Sequence, residues 1–246
     1  MDKYLALSVP SLLAFDPLFL DHTIRSQLDL PFSLAFVASV YFFLASFKKP
    51  VNIYFSQFFA GIAFAVRFFP FLLILEFLLF LILFLKNKKN LPHFIIASLF
   101  IPLIYLISHI SFFIYHPQLS LFLRHKKWML AWFRGTPILP GNLLRNIFTG
   151  RLYDTRGLLA INKEWSPLQP LVLLLASLYL RDVTSLSLYL ITFVYFLYVV
   201  FFTDGVAKFI MPILPFLVVL AIKNLNHIYS IIRLWTKLIL RPSKAR

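Results

Sequence analysis

The chain has 246 residues, of which 61% are hydrophobic and 13% charged, with 30 Phe and no Cys. A soluble domain carries about 25% charged residues, so this apolar excess excludes a single water-facing globule and points to lipid as solvent. Without cysteine there are no disulfides, thiolate metal sites or Cys nucleophiles.

Lys and Arg number 24 against 9 Asp and Glu, for a net charge of +15. In a membrane chain this excess reads as helix flanks meeting anionic headgroups rather than as a nucleic-acid surface. No Gly-rich phosphate loop, zinc motif or His cluster is present. No motif demands a cofactor.

Taken in chain order, the apolar runs predict an all-α, polytopic helical bundle of about eight membrane segments. They cover 4–20, 31–47, 54–66, 69–85, 93–115, 168–180, 185–202 and 209–222. The first is expected to be a retained helix, because Asp16, Pro10 and Pro17 interrupt its apolar run and no small-residue cleavage site follows. The third, sixth and eighth are short and need neighbours or a re-entrant path. Arg67 and Pro70 divide the long run 54–85 into a tight hairpin.

Residues 1–222 are thus one bundle, with an outer interfacial loop at 116–167, and 223–246 form a basic amphipathic cytosolic tail. In that tail Leu225, Ile228, Ile232, Trp235 and Ile239 recur at helical spacing, opposite Arg233, Lys237 and Arg241. With both termini cytosolic, the inner segments collect Lys48, Lys49, Lys86, Lys88, Lys89 and Lys223, and short outer loops hold only Arg25, Arg67 and Lys208. The plasma membrane is the expected location.

Polar groups beside membrane helices are costly and therefore informative. The loop after the first segment holds Asp21, His22, Arg25 and Asp29 within nine residues. A carboxylate there can act as general base or hold a divalent metal ion, and an Arg or His beside it can hold a phosphate. The plainer alternative is a solvated loop in which Asp29 and Pro31 start a helix. The loop 116–167 carries eight Lys and Arg, among them Arg145 and Arg151, against Asp154 and Glu164, interleaved with Trp and Tyr. That pattern suits either generic headgroup anchoring or a site for a phosphate-bearing lipid. Glu76, Asp16 and Asp204 stand alone and read as structural.

Four stretches resemble the GT-C superfamily of glycosyltransferases, in its protein-O-mannosyltransferase-like and lipid-A-sugar-transferase-like branch. Asp16-Pro17-Leu18-Phe19-Leu20 resembles that branch's SPLFL helix, and Leu28-Asp29-Leu30-Pro31 its TDIPL loop. Residues 59–70, with Gly61, Arg67 and Pro70, are similar to its GLxLGLALLTRxP segment. Residues 208–216, Lys-Phe-Ile-Met-Pro-Ile-Leu-Pro-Phe, are similar to its RYLLPLLPF helix.

The resemblance implies transfer of a sugar from a polyprenyl-phosphate carrier to an acceptor at the outer membrane face. It puts Asp29 in the catalytic pocket and Lys208 where the family usually has Arg. His22, Arg25, Arg145 and Arg151 are added as phosphate-binding candidates on charge alone. The family's first helix and acidic Asp-Glu loop have no counterpart here. The expectation is therefore a truncated or split enzyme, with a second chain supplying that region, or a non-catalytic subunit. A transporter is the other alternative. It would show repeats and midplane polar residues, whereas the polar groups here gather at segment ends.

Overall fold

The computed structural model describes residues 3–24, 28–67, 69, 71–135, 137–154, 156–178 and 183–239. Its helices are α1 (Lys3–Ala14), α2 (Pro17–Ile24), α3 (Asp29–Ser46), α4 (Asn52–Val66) and α5 (Phe71–Lys86). After a single 3-10 turn come α6 (Leu91–Ser98), α7 (Phe100–Ser108) and α8 (Ile110–Tyr115), then α9 (Leu119–Gly135) and α10 (Asn142–Thr149). A two-stranded antiparallel hairpin, β1 (Arg151–Tyr153) with β2 (Leu159–Ile161), precedes α11 (Leu168–Ser177), α12 (Val183–Phe202) and α13 (Leu214–Ile239). The architecture is an all-α membrane bundle.

Among the described residues four stretches are long and apolar enough to cross a membrane: Asp29–Ser46, Lys88–Ser108, Ser185–Phe202 and Leu214–Arg233. Shorter apolar helices, Asn52–Val66 and Leu168–Ser177 among them, fill in around them. Along Lys88–Ser108 only 11% of the window is buried, and no residue of α7 is. Leu103, Leu106 and Ile107 face outward. In water such a face would be a liability, but against lipid it costs nothing, since hydrocarbon is as apolar as leucine.

Helix–helix association here therefore rests on close packing and internal polar contacts. α3 and α4 form an antiparallel pair in which Ser39 and Ser56 meet: the Ser56 hydroxyl donates to the Ser39 carbonyl at 2.9 Å. Small side chains let the two backbones approach. α4 packs as closely on α7 at Gly61, where a Cβ would fall 2.8 Å from Ile104 Cδ1 and 3.0 Å from the Phe100 carbonyl oxygen. Phe32, Phe36, Val40 and Phe43 recur along the buried face of α3. They join Leu72, Leu75 and Leu79 of α5 and Tyr195 of α12 in one core. The Tyr195 ring meets Phe71 edge-on at 4.6 Å and tilts against Phe36 at 5.5 Å.

The structure departs from the expected segments where local chemistry overrides the apolar run. Residues 4–20 are two helices, because Asp16 accepts the Leu18 and Phe19 N–H groups at 3.0 and 3.3 Å and so caps α2, with Pro17 as its first residue. The 93–115 segment is interrupted at Leu99, where Pro102 offers no N–H to the Ser98 carbonyl, and again at His109. Residues 116–167 are not a plain loop but two helices and a hairpin. Finally, α13 runs without interruption through residue 223, so the tail continues the last core helix.

A candidate site at one end of the bundle

The start of α3 and the end of α4 lie at the same end of their antiparallel pair. α3 begins at Asp29, and Pro31 fits in its first turn, where no backbone N–H bond is lost. The Ser33 hydroxyl donates to the Asp29 carbonyl at 2.6 Å, tightening that turn. α4 ends at Val66. Arg67 leaves it in an extended conformation (φ −147°, ψ 111°), its N–H still bonded to Ala63. This exit swings the guanidinium onto the Asp29 carboxylate, with Nη1 donating to Oδ1. The two side chains are 21% and 11% exposed. Such a pair survives removal from water only through close geometry and further contacts.

Those contacts are aromatic. The Arg67 guanidinium lies 5.8 Å from the Phe69 ring centre and 5.3 Å from that of Phe209. Phe209 also takes the Lys208 ammonium at 5.6 Å, and stacks on Phe69 at 6.1 Å. One carboxylate and two cations are thus gathered around a pair of rings. The excess of positive charge suits a phosphate, and the carboxylate suits a hydroxyl proton.

The hairpin region docks at this same end. Asn142 donates to the Tyr153 and Asp204 carbonyls at 2.9 and 2.7 Å and accepts the Tyr153 N–H at 2.7 Å. Asn146 donates to the Gly205 carbonyl at 3.3 Å. Leu139 and Gly141 donate to the carbonyls of Thr203 and Val200. Gly205, at φ +75°, passes so close that a Cβ would sit 2.5 Å from the Leu143 nitrogen. The turn that holds α10 is therefore the one leading into Lys208. Lys208 and the arginines Arg145 and Arg151 thus lie at one end of the bundle.

They do not merge into a single cluster. Asp29 pairs with Arg67, and Arg67 and Lys208 share the Phe209 ring. Arg145 instead lies over the Tyr153 ring at 4.6 Å, with Nη1 donating to the Tyr153 hydroxyl at 3.0 Å. Arg151 is exposed at the start of the hairpin. His22 belongs to α2, but its side chain lies outside the described ones, and Arg25 lies outside the described residues. Arg67, read from sequence as a hairpin breaker and an outer-loop charge but not as a site residue, is the residue that organises the site. Its signal was there: a lone Arg closing an apolar helix, inside the family-like 59–70 segment.

The isolated acids have structural partners. Asp16 caps α2, Glu76 accepts from Gln57 Nε2 at 2.9 Å, and Asp204 accepts the Val206 N–H at 3.3 Å. Among the described residues no three His, Asp or Glu side chains form a group able to hold a metal ion. The ion-pair partner of Asp29 is a cation, a poor match for the several oxygen ligands a divalent ion takes.

A family model described as dolichyl-phosphate-mannose-protein mannosyltransferase matches residues 2–112. The match runs from α1 into α8, contains both Asp29 and Arg67, and stops short of Lys208 and the hairpin. No curated protein and no solved structure matches the chain. Over these residues the chain is similar to a membrane glycosyltransferase family of the GT-C type, the one that its sequence motifs resemble.

Proposed function

We propose that this chain transfers a sugar from a polyprenyl-phosphate carrier to an acceptor at the outer face of the membrane. The observation that carries the reading is the Asp29–Arg67 pair with Lys208 beside it, at the bundle end opposite Lys48, Lys49, Lys86 and Lys88. Under the positive-inside rule that lysine-rich end faces the cytosol, an orientation in which the site opens on the outer face.

In this mechanism the acceptor hydroxyl loses its proton to the Asp29 carboxylate as its oxygen attacks the anomeric carbon. The carbon–oxygen bond to the carrier phosphate breaks, and the electron pair stays with the phosphate. Arg67 and Lys208 stabilise that developing charge in a site walled by Phe69 and Phe209, where electrostatic interactions are stronger than in water. Arg67 has a second duty, to orient Asp29. A partner chain that completes the acceptor side fits the same reading.

The test is sugar transfer in proteoliposomes, using polyprenyl-phosphate-linked sugars as donors. Asp29→Asn should lower kcat by about a hundredfold or more, with donor binding retained. Arg67→Lys should weaken donor binding while keeping part of the rate. Full activity of a folded Asp29→Asn protein would refute the assignment. A folded wild type that binds no polyprenyl-phosphate sugar would refute the reading as a whole.

A further inference from the structure

A second feature lies outside this site. Although α11 and α12 are neighbours in sequence, they do not pack side by side. Each packs on α13 instead, and α10 touches both. Between them is a crevice of about 250 Å³, walled by Leu173 and Leu174 of α11 and by Phe193 and Phe196 of α12. Leu217 and Leu220 of α13 form its floor, and Leu144 and Phe148 of α10 close its end. On α12 its lining runs from Tyr189 to Phe196, about 10 Å of helix. Leu174 and Phe193 are partly exposed at the mouth, so the crevice opens sideways.

The lining selects hydrocarbon. Its two small hydroxyls are already used: Thr192 donates to the Leu188 carbonyl and Ser177 to the Leu174 carbonyl, both at 2.7 Å. A water molecule needs two to four polar partners, and an apolar cavity of about 150 Å³ already holds a benzene-sized guest. An empty crevice would forfeit dispersion contacts along its walls. In a bilayer the neighbouring solvent is acyl chain.

The end under α10 selects charge. Arg145 sits on α10 between the two crevice residues Leu144 and Phe148, and its side chain is exposed. Arg151 and Arg156 are exposed on the hairpin beyond. The nearby Asp154 carboxylate is tied into the hairpin turn by the Arg156 and Leu158 N–H groups. Arginine at the headgroup layer favours a phosphodiester.

We infer that the α11–α12 crevice binds one acyl chain of an anionic phospholipid whose phosphate meets Arg145. This lipid is distinct from the sugar carrier. The Asp29–Arg67 site packs on the Tyr195 and Tyr198 side of α12, through Phe69, whereas the crevice takes the Tyr189, Phe193 and Phe196 side. The helix itself stands between the two.

The full chain in a non-ionic detergent, titrated with phosphatidylglycerol and with phosphatidylcholine of the same acyl chains, tests this by native mass spectrometry. Phosphatidylglycerol should bind about fivefold more tightly, the effect of one headgroup arginine. Leu174→Trp should reduce binding of both lipids by filling the crevice. Arg145→Gln, at an exposed position, should make the two lipids equal, and it keeps the test open should Leu174→Trp not fold. Equal binding of both lipids by wild type would overturn the inference. So would an unchanged preference in Arg145→Gln, or displacement of phosphatidylglycerol by equimolar polyprenyl phosphate. Lipid retention is read without sugar transfer, so this inference and the proposed function fail separately.

Discussion

The Asp29–Arg67 pair makes a sharp thermodynamic prediction. Breaking a buried ion pair by removing one partner costs about 3–5 kcal/mol, because the other charge is left uncompensated. Here the side chains are 21% and 11% exposed, so water screens the remaining charge and about 2 kcal/mol applies. Arg67→Gln also forfeits its contacts with Phe69 and Phe209, each about 0.5–1 kcal/mol when part-exposed. The expected loss is about 3–4 kcal/mol for Arg67→Gln and about 2–3 kcal/mol for Asp29→Asn, which leaves an Arg that can turn toward the surface. The double variant carries no charge at either position and should lose about 3–4 kcal/mol rather than the sum. The coupling of about 2 kcal/mol is measurable from denaturation midpoints in mixed micelles, with tryptophan fluorescence as readout. Strict additivity of the two substitutions would refute contact between Asp29 and Arg67, and with it the organisation of the site.

Three further outcomes follow from the packing. Asn142→Ala removes three hydrogen bonds that tie α10 to the hairpin and the turn at Asp204. It should cost about 2–4 kcal/mol, with amide exchange rising in residues 139–161. Gly205→Ala forces a side chain onto a left-handed backbone and against the Leu143 nitrogen. It should cost at least about 1–2 kcal/mol from conformation alone, and protease should then nick the hairpin region sooner than in wild type. Gly61→Val wedges α4 away from α7 and should lower stability by about 1–3 kcal/mol, whereas Gly135→Ala, with nothing near its Cβ, should not.

Composition and apolar runs were enough to read the helical membrane class, since the need to satisfy every backbone group within lipid leaves few alternatives. Helix ends were less legible. The break at Asp16 depends on which turn the carboxylate caps, and a window average cannot see a cap. The 116–167 stretch misled because its basic residues masked two helices. Leu143 and Ile147 recur at helical spacing and are buried, yet the segment is too short and polar to register as a span. Asp29 was found through its motif. Its partner lies 38 residues away, and only the antiparallel pairing of α3 with α4 brings the two ends together. Arg145 was assigned to phosphate binding on charge alone, and its engagement with Tyr153 follows from a turn that sequence does not announce.

The unbroken course of α13 has a mechanical consequence. Twenty-six residues of continuous helix make a strut of about 39 Å that starts just beyond the 3-10 turn Ala207–Ile210 bearing Lys208 and Phe209 and ends among the basic residues of the tail. A jointed tail would absorb any tug at its far end, whereas a stiff strut delivers it to those aromatic rings. Kinking it with His227→Pro should uncouple the two ends. Spin labels on either side of residue 227 would then report independent motion where the intact rod reports one.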